Sequence, residues 1–242
     1  MTLFTYFLLS LYALPSLVFA HGHIAAVIVD GVKYAGYDPN NPQRGSTPVG
    51  WTTKQTEDWS VNSDQVGSPD IICHKAATPA KAYATAKPGS QITIQYNNWP
   101  DTHPGPALAY LADCGGDCTT VNKTQLKWVK FWQKGENAQG VWINTQFMSD
   151  NYRMTIPFPN IKPGNYVMRH ELINLYLAKP GHTEMYPQCV NFIIGGNGTE
   201  AITGGVLGTE LYKSDDPGLL DPGRNYASYK FPGPPLTNFT FL

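Results

Sequence analysis

The sequence predicts an all-β protein, an antiparallel β-sandwich with long loops and only short helical turns. Two observations lead to this prediction. About eight short stretches are rich in β-branched residues or alternate apolar with polar residues, and turn signals separate them, as is typical of such sandwiches. Charged residues make up only 14% of the chain, which also contains 23 Gly and 20 Pro. This composition indicates a loop-rich β protein with a polar but weakly charged surface.

The first predicted strand covers residues 22–30, where GHIAAVIVD leads into the turn signal Asp30-Gly31. Residues 36–70 are dense in Gly, Pro, Asn, Ser and Asp, and they predict a long loop of the kind that is usually functional. The run QITIQY at 91–96 alternates cleanly and predicts another strand. Further strands are predicted over residues 107–111, 127–133, 152–157, 166–172 and 188–194, and a helical turn is predicted over 123–126.

Residues 1–20 predict a signal peptide. The segment 2–19 is almost wholly apolar, and Val18-Phe19-Ala20 supplies short side chains at the two positions that a signal peptidase reads. Cleavage after Ala20 would leave residues 21–242 as one domain of a secreted, extracellular protein. Uncut, the same segment would be long enough to anchor the chain in a membrane. Cleavage is the favoured interpretation, so no membrane association is expected after processing.

Charge and motifs exclude several function classes. The formal net charge of -1 gives no electrostatic case for nucleic-acid binding. The chain contains no P-loop, Rossmann glycine pattern, G-x-S-x-G or H-E-x-x-H motif. Hydrolysis by paired carboxylates stays open, because any two of the 18 acidic residues can meet in space.

The four cysteines are an even number in a secretory context and predict two disulfides, with three connectivities possible. Cys114 and Cys118 can close a tight loop, which would leave Cys73 with Cys189. A zinc site at Cys114 and Cys118 is the rival interpretation, although no second close pair accompanies them. Glycosylation sequons begin at Asn122, Asn197 and Asn238.

After cleavage, His21 would be the first residue, and its α-amine and imidazole together could chelate one metal ion. An all-nitrogen planar set favours Cu(II), and one further imidazole would complete a three-nitrogen site. The best partner is His103, because it sits among prolines in a stiff turn outside any sheet ladder. His74 and His170 are predicted to be structural, and His23 is predicted either to be structural or to lie next to the metal ligands.

Several stretches of the chain, taken in order, resemble the fungal lytic polysaccharide monooxygenases of auxiliary activity family 9, formerly glycoside hydrolase family 61. The resemblance runs through the whole mature chain. Its motifs are HGHI at 21–24, PDIICHK at 69–75, WPDTHPGP at 99–106, YLADC at 110–114, PGNYVMRHE at 163–171, YPQCVN at 186–191, LYKSDDPG at 211–218 and SYKFPGP at 228–234.

The resemblance implies an immunoglobulin- or fibronectin-III-like sandwich with a flat face and one copper ion in a histidine brace. His21 would supply its amine and imidazole, His103 the third nitrogen, and Tyr186 would stand at the axial position. The implied disulfides are Cys73–Cys189 and Cys114–Cys118. Tyrosines near the metal would stack on sugar rings, and the candidates are Tyr34, Tyr37, Tyr226 and Tyr229.

The function that the resemblance implies is oxidative cleavage of cellulose or related β-1,4-glucans at C1 and/or C4. The partners would be the glucan surface, an external electron donor, and dioxygen or hydrogen peroxide. The chain is expected to be a monomer, and residues 21–242 to be a single catalytic domain without an appended carbohydrate-binding module.

Two positions depart from the family pattern. Tyr176 stands where family members usually carry a histidine, and Glu184 where they usually carry a glutamine. Both family residues form hydrogen bonds near the oxygen site, so Tyr176 and Glu184 are counted with Tyr186 as candidate catalytic residues. His182 is a possible substitute for the lost histidine. The departures leave an alternative function, a secreted copper-binding or cell-wall-associated protein with an intact brace but little monooxygenase activity.

Overall fold

The computed structural model describes residues 21–42, 45–54, 60–223 and 229–242, so the predicted signal peptide lies outside the described residues. Two four-residue α-helices are present, α1 (Asp70–Cys73) and α2 (Ile143–Gln146), together with short 3₁₀ turns that include Lys123–Gln125. The strands are β1 (Ile24–Val29), β2 (Val32–Ala35), β3 (Val61–Asn62), β4 (Ala84–Ala86), β5 (Gln91–Tyr96), β6 (Ala107–Asp113), β7 (Lys127–Lys134), β8 (Arg153–Pro157), β9 (Gly164–Asn174), β10 (Glu184–Ile194) and β11 (Val206–Leu207).

These strands form two sheets. The smaller sheet has the order β2-β1-β5-β8, and the larger has the order β11-β7-β6-β9-β10-β3, with β4 paired to β10. All pairs are antiparallel except β4 with β10, which is parallel. The predicted antiparallel β-sandwich is therefore confirmed, with one short parallel strand added. No helix in the described part of the chain is long and apolar enough to cross a membrane.

The main core lies between the two sheets. Val27, Ile94 and Met154 of the smaller sheet pack in one cluster with Met168 and Phe192 of the larger sheet. A second apolar cluster, which includes the α1 side chains and Trp128, covers the opposite face of the larger sheet. Because both faces of this sheet are buried, β9 and β10 are buried along most of their length and do not alternate with solvent.

The predicted strands are confirmed, but the structure contains four further short strands, and two of the predicted strands are longer than expected. The Asp30-Gly31 turn joins β1 to β2 in a two-residue hairpin, with positive φ at both residues, as Asp-Gly turns favour. The edge strand β2 and the short strands β3, β4 and β11 carry too few residues for a periodic signal. Strands β9 and β10 extend beyond the predicted limits because they pair continuously from Gly164 opposite Ile194 to Asn174 opposite Glu184.

The structure contains the disulfides Cys73–Cys189 and Cys114–Cys118, the pairing that the resemblance implied. The first ties α1 to β10 on the outer face of the larger sheet. The second closes the loop that follows β6. Both cysteines of the second pair are therefore disulfide-bonded, which excludes the rival zinc site.

His170 lies fully buried on β9, and its Nδ1 is 2.9 Å from the Tyr96 hydroxyl. Burial, and secondarily the neighbouring Arg169 charge, lowers the pKa of His170 to about 3. The unfolded chain takes up this proton near pH 6.5, whereas the folded chain does not until about pH 3. Stability should therefore fall as pH drops through this window, by up to roughly 1.4 kcal/mol per pH unit.

Urea unfolding between pH 7 and 4 tests this expectation by comparing the chain with His170→Gln. The substitution removes the titrating imidazole, so the stability of the variant should depend less steeply on pH. Equal slopes for the two proteins would show that His170 is not the group responsible. Other acid-sensitive groups contribute equally to the pH dependence of stability in both proteins, so they cancel when the two slopes are subtracted.

Candidate metal centre

The segment that carries His21 is fixed to the sheets by backbone hydrogen bonds. The His23 amide donates to Asn97 Oδ1 at 2.8 Å, and the Asn97 amide donates to the His23 carbonyl at 3.1 Å. The Ile24 amide donates to Gln188 Oε1 at 2.6 Å. At Gly22 a Cβ atom would lie 1.8 Å from the Asn98 carbonyl oxygen, so only glycine permits this close approach. These contacts place His21 beside the end of β5.

His103 lies in the loop between β5 and β6, which is held from both sides. The Trp99 indole donates to the His103 carbonyl at 3.1 Å, and the His103 amide donates to the Pro100 carbonyl at 3.2 Å. After the histidine, the backbone passes so close to β9 that a Cβ on Gly105 would lie 2.1 Å from the Ile173 carbonyl oxygen. The side chain is oriented by Thr102, whose Oγ1 lies 3.0 Å from Nδ1 and leaves Nε2 to face the centre.

The structure brings the two predicted metal ligands together. Nε2 of His21 and Nε2 of His103 are 2.9 Å apart, although the residues are 82 positions apart in sequence. The fully buried Tyr186 ring lies under them, with its centroid 4.9 Å from that of His21 and 6.3 Å from that of His103. Trp99 packs edge-on against Tyr186, with ring centroids 5.1 Å apart, and supports it from the core. The structure therefore brings the Tyr186 ring beside both histidines.

Glu184 completes the group. Its Oε2 is 3.2 Å from His103 Nε2, and it accepts hydrogen bonds from Asn174 Nδ2 at 2.8 Å and from the Tyr186 hydroxyl at 3.1 Å. His103, above all, and the two other donors hold the pKa of Glu184 at about 2, although partial burial opposes this. Burial, and next the Glu184 charge, raises the pKa of the Tyr186 hydroxyl well above its usual range. Glu184 is therefore an anion whose charge is directed at the histidine pair.

Donor atoms of His21, His103 and Glu184 all lie within 4.8 Å of one another, which makes this a group that could hold a metal ion. Two imidazole nitrogens and a carboxylate oxygen suit several transition metals, including copper. The side chains remain accessible from outside, with 16% of the His103 side chain and 35% of the Glu184 side chain exposed. The arrangement can therefore bind a metal on the protein surface, within reach of a large substrate.

The remaining predicted residues lie in different settings. Tyr176 is 59% exposed, and its amide donates to Asn174 Oδ1, so it lies beside the group but outside it. Tyr37 lines one surface cavity together with His23 and Asp38. His23 is two residues from His21 in sequence. Tyr34, on β2, pairs with Val27 of β1, and the Tyr34 hydroxyl is 2.7 Å from Thr85 Oγ1. Val27 is six residues along the strand from His21, on the order of 20 Å away.

Tyr229 is placed as a packing residue. Its hydroxyl donates to the Gly218 carbonyl at 2.7 Å, and its ring lies between Trp142 and Phe231, with centroid distances of 5.0 and 5.3 Å. Both ring contacts are edge-on, and the role of Tyr229 in sugar binding stays a prediction. Tyr226 lies outside the described residues.

The other histidines are separate from the pair. His23, His74 and His170 are buried, in line with their predicted structural roles. His182 is exposed on the turn before β10 and does not belong to the metal-competent group. The three sequon residues Asn122, Asn197 and Asn238 are exposed, which leaves them accessible for the predicted glycosylation.

Sequence reasoning missed the residues that position the ligands. Asn174 is the most important, because it sits directly opposite Glu184 in the β9–β10 ladder and orients its carboxylate. Its position just before Tyr176 gave a weak signal, since a buried Asn at the end of a strand usually has a specific partner. Thr102 and Gln188 act on His103 and on the His21 segment respectively, and neither shows a distinguishing pattern in sequence.

Comparison with known proteins places this geometry in context. The profile of Auxiliary Activity family 9 (formerly GH61) matches residues 21–230. The AA9 family lytic polysaccharide monooxygenase A of Malbranchea cinnamomea is 42% identical over 234 residues, covering 93% of this chain and 70% of that protein. The AA9 family lytic polysaccharide monooxygenase A of Thermoascus aurantiacus is 39% identical, covering 89% of this chain and 99% of that protein.

Solved structures give the same result. Cel61B of Hypocrea jecorina, a glycoside hydrolase family 61 member, superposes with a TM-score of 0.84 at 35% identity, covering 90% of this chain and all of that one. The extended catalytic domain of LPMO9A from H. jecorina superposes with a TM-score of 0.81 at 40% identity, covering 89% of this chain and 90% of that one. The β-sandwich is therefore shared with solved structures of the family whose profile the chain matches.

Proposed function

Because the chain belongs to Auxiliary Activity family 9, the lytic polysaccharide monooxygenases, which cleave polysaccharides oxidatively, we propose that it acts on cellulose or a related β-1,4-glucan at C1 and/or C4. The observation that carries the proposal is the His21–His103 pair, 2.9 Å apart on an accessible face of the sandwich. A metal in such a position can meet a chain at the surface of a solid substrate, which could not enter a deep cleft.

The donor atoms fit one copper ion. His21 and His103 would hold it through imidazole nitrogens, with the α-amine of His21 as a third nitrogen, and the Tyr186 ring would lie beside the two histidines. Copper, when bound, supplies one-electron redox chemistry with dioxygen or hydrogen peroxide as co-substrate and an external electron donor. A free amine requires removal of residues 1–20, so we propose that residues 21–242 form the mature, secreted catalytic domain and act as a monomer.

The protein's own residues prepare this site. Thr102 holds Nδ1 of His103, which fixes the ring orientation, and Trp99 anchors its carbonyl. The buried Tyr186 ring fills the space beneath the histidines and excludes water from that side. Asn174 orients Glu184, which places a fixed negative charge beside the pair. We propose that Thr102, Trp99 and Asn174 position the residues of the centre and that none of the three reacts itself.

The surface beside the site supports a polysaccharide substrate. Tyr176 and Leu177 are 59% and 69% exposed, and they lie two and three residues after Asn174. Exposed aromatic and apolar side chains next to a reactive centre are suited to contact the apolar faces of sugar rings. We propose that Tyr176 contributes to glucan binding, together with Tyr37, which lines a surface cavity with His23.

The experiment is to incubate the copper-loaded chain beginning at His21 with cellulose and a reductant, and to identify products by mass spectrometry. Oligosaccharides oxidised at C1 or C4 are expected from this chain and not from His103→Ala. The alternative function, a secreted copper-binding protein with little oxidative activity, is favoured by one observation, the anionic Glu184 beside the ligands. Tight copper binding without oxidised products would support that alternative and contradict the proposed activity.

A further inference from the structure

We propose that the carboxylate of Glu184 is itself a ligand of the bound copper, an anionic third residue beside His21 and His103. The inference rests on the copper site proposed above. It extends that site because the three-nitrogen arrangement contains no charged ligand. A glutamate in the coordination sphere would make the centre of this chain chemically different from a site built from neutral nitrogens and a tyrosine.

The first support is distance. Oε2 of Glu184 lies 3.2 Å from His103 Nε2, and that same nitrogen lies 2.9 Å from His21 Nε2. Ligand atoms bonded to one ion at about 2.1 Å and at right angles to each other are separated by roughly 3 Å. The spacing already present is therefore that of neighbouring ligands around one ion. Within the described residues, no other group of His, Cys, Asp or Glu side chains meets this condition.

The second support is preorganisation. Asn174 Nδ2 and the Tyr186 hydroxyl both donate to Oε2, and Asn174 faces Glu184 directly across the β9–β10 ladder. The carboxylate is thereby held towards the histidines, and it would not have to be ordered from solvent when the metal binds. Both donors use Oε2, so a metal can be bound through the lone pairs of Oε1, the other oxygen of the same carboxylate.

The third support is the direction of the Tyr186 hydroxyl. It donates to Glu184 Oε2 at 3.1 Å, so this oxygen stands between the tyrosine and His103. Tyr186 thus contacts the centre through its ring, against His21, and through the carboxylate that it supports. In this geometry Glu184, more directly than Tyr186, presents an oxygen to a metal held between the histidines.

The consequence is a preference for Cu(II). An anionic ligand stabilises the doubly charged ion more than the singly charged one, because Coulomb attraction scales with charge. Glu184→Gln keeps the size and one acceptor oxygen but removes the charge. Its Cu(II) affinity should fall at least tenfold, while its Cu(I) affinity should change much less. For each factor of ten by which the Cu(II) affinity falls more than the Cu(I) affinity, the one-electron Cu(II)/Cu(I) potential of the variant rises by about 59 mV.

The test measures Cu(II) and Cu(I) affinities by chelator competition, and records Cu(II) electron paramagnetic resonance spectra, for the chain beginning at His21. Glu184→Gln is compared with Glu210→Gln, which changes an exposed glutamate on the 3₁₀ turn Gly208–Glu210. The spectrum and Cu(II) affinity should change in the first variant only. Unchanged values in Glu184→Gln, with the parent chain still binding tightly, would overturn the inference and leave the proposed copper site intact.

A measurement on the unaltered chain keeps the inference testable if the variant does not fold. With ¹³C introduced at the side-chain carboxyl of glutamate, pulsed resonance should detect a strong coupling between Cu(II) and one ¹³C nucleus. Absence of that coupling would overturn the inference. Failure of the parent chain to bind copper would overturn the proposed copper site and, with it, the assignment of Glu184.

Discussion

We expect tight copper binding to be lost when the chain carries one extra Met before His21, or when His103 is replaced by alanine. The extra residue converts the α-amine into an amide, which is a poor ligand, and the substitution removes an imidazole whose Nε2 lies 2.9 Å from that of His21. Loss of a residue that merely orients a ligand costs about 10–100-fold in metal affinity, so loss of a ligand should cost more than about 100-fold. Calorimetric titration with Cu(II) measures both effects.

His182→Ala is the matched control for the copper measurement. It also removes one imidazole, but from an exposed turn outside the metal-competent group. Its Cu(II) affinity should equal that of the parent chain. Equal affinities for the chain with the extra Met and the chain beginning at His21 would show that the amine is not a ligand. Equal affinities for His103→Ala and the parent would remove His103 from the site.

Arg169→Met is expected to lower the free energy of unfolding by about 3–5 kcal/mol, because it breaks a fully buried ion pair. The guanidinium donates to both carboxylate oxygens of Glu171, at 2.8 and 2.7 Å, and also to the carbonyls of Ile71 and Ile72. Tyr212 also donates to Glu171. Without Arg169, a buried carboxylate and two carbonyls lose their main donor. Urea denaturation measures the loss.

The double variant Arg169→Met/Glu171→Gln provides the control, since it removes both charges together. Buried pairs replaced as a unit are often tolerated, so the double variant should be more stable than Arg169→Met alone. A loss below about 1 kcal/mol in Arg169→Met would contradict the expectation that breaking this buried ion pair is strongly destabilising. The metal site lies elsewhere, so copper affinity measured on the folded fraction should remain unchanged.

Much of the fold was predictable because local signals carried it. The alternation of residues 91–96 and the Asp30-Gly31 turn each specify a strand or a turn through short-range sterics. The extent of β9 and β10 was not predictable, because both faces of the larger sheet are buried and the period-two pattern disappears. Strand β4 has three residues and pairs in parallel with β10, and a contact of this kind leaves no periodic signal.

The sequence by itself determined the chemistry of the site. It supplied a histidine after a predicted cleavage point, a second histidine in a proline-rich turn, a tyrosine in the YPQC motif, and the departures at Tyr176 and Glu184. Residue types decide which atoms can bind a metal, and these were readable without coordinates. Tertiary structure alone decided that Glu184 joins the histidines whereas Tyr176 points to solvent and Tyr229 is packed. Glu184 reaches the histidines because it lies opposite Asn174 in the β9–β10 ladder and because the loop at Gly105 packs against β9. Contacts of this kind form only when segments that are distant in sequence meet in the fold.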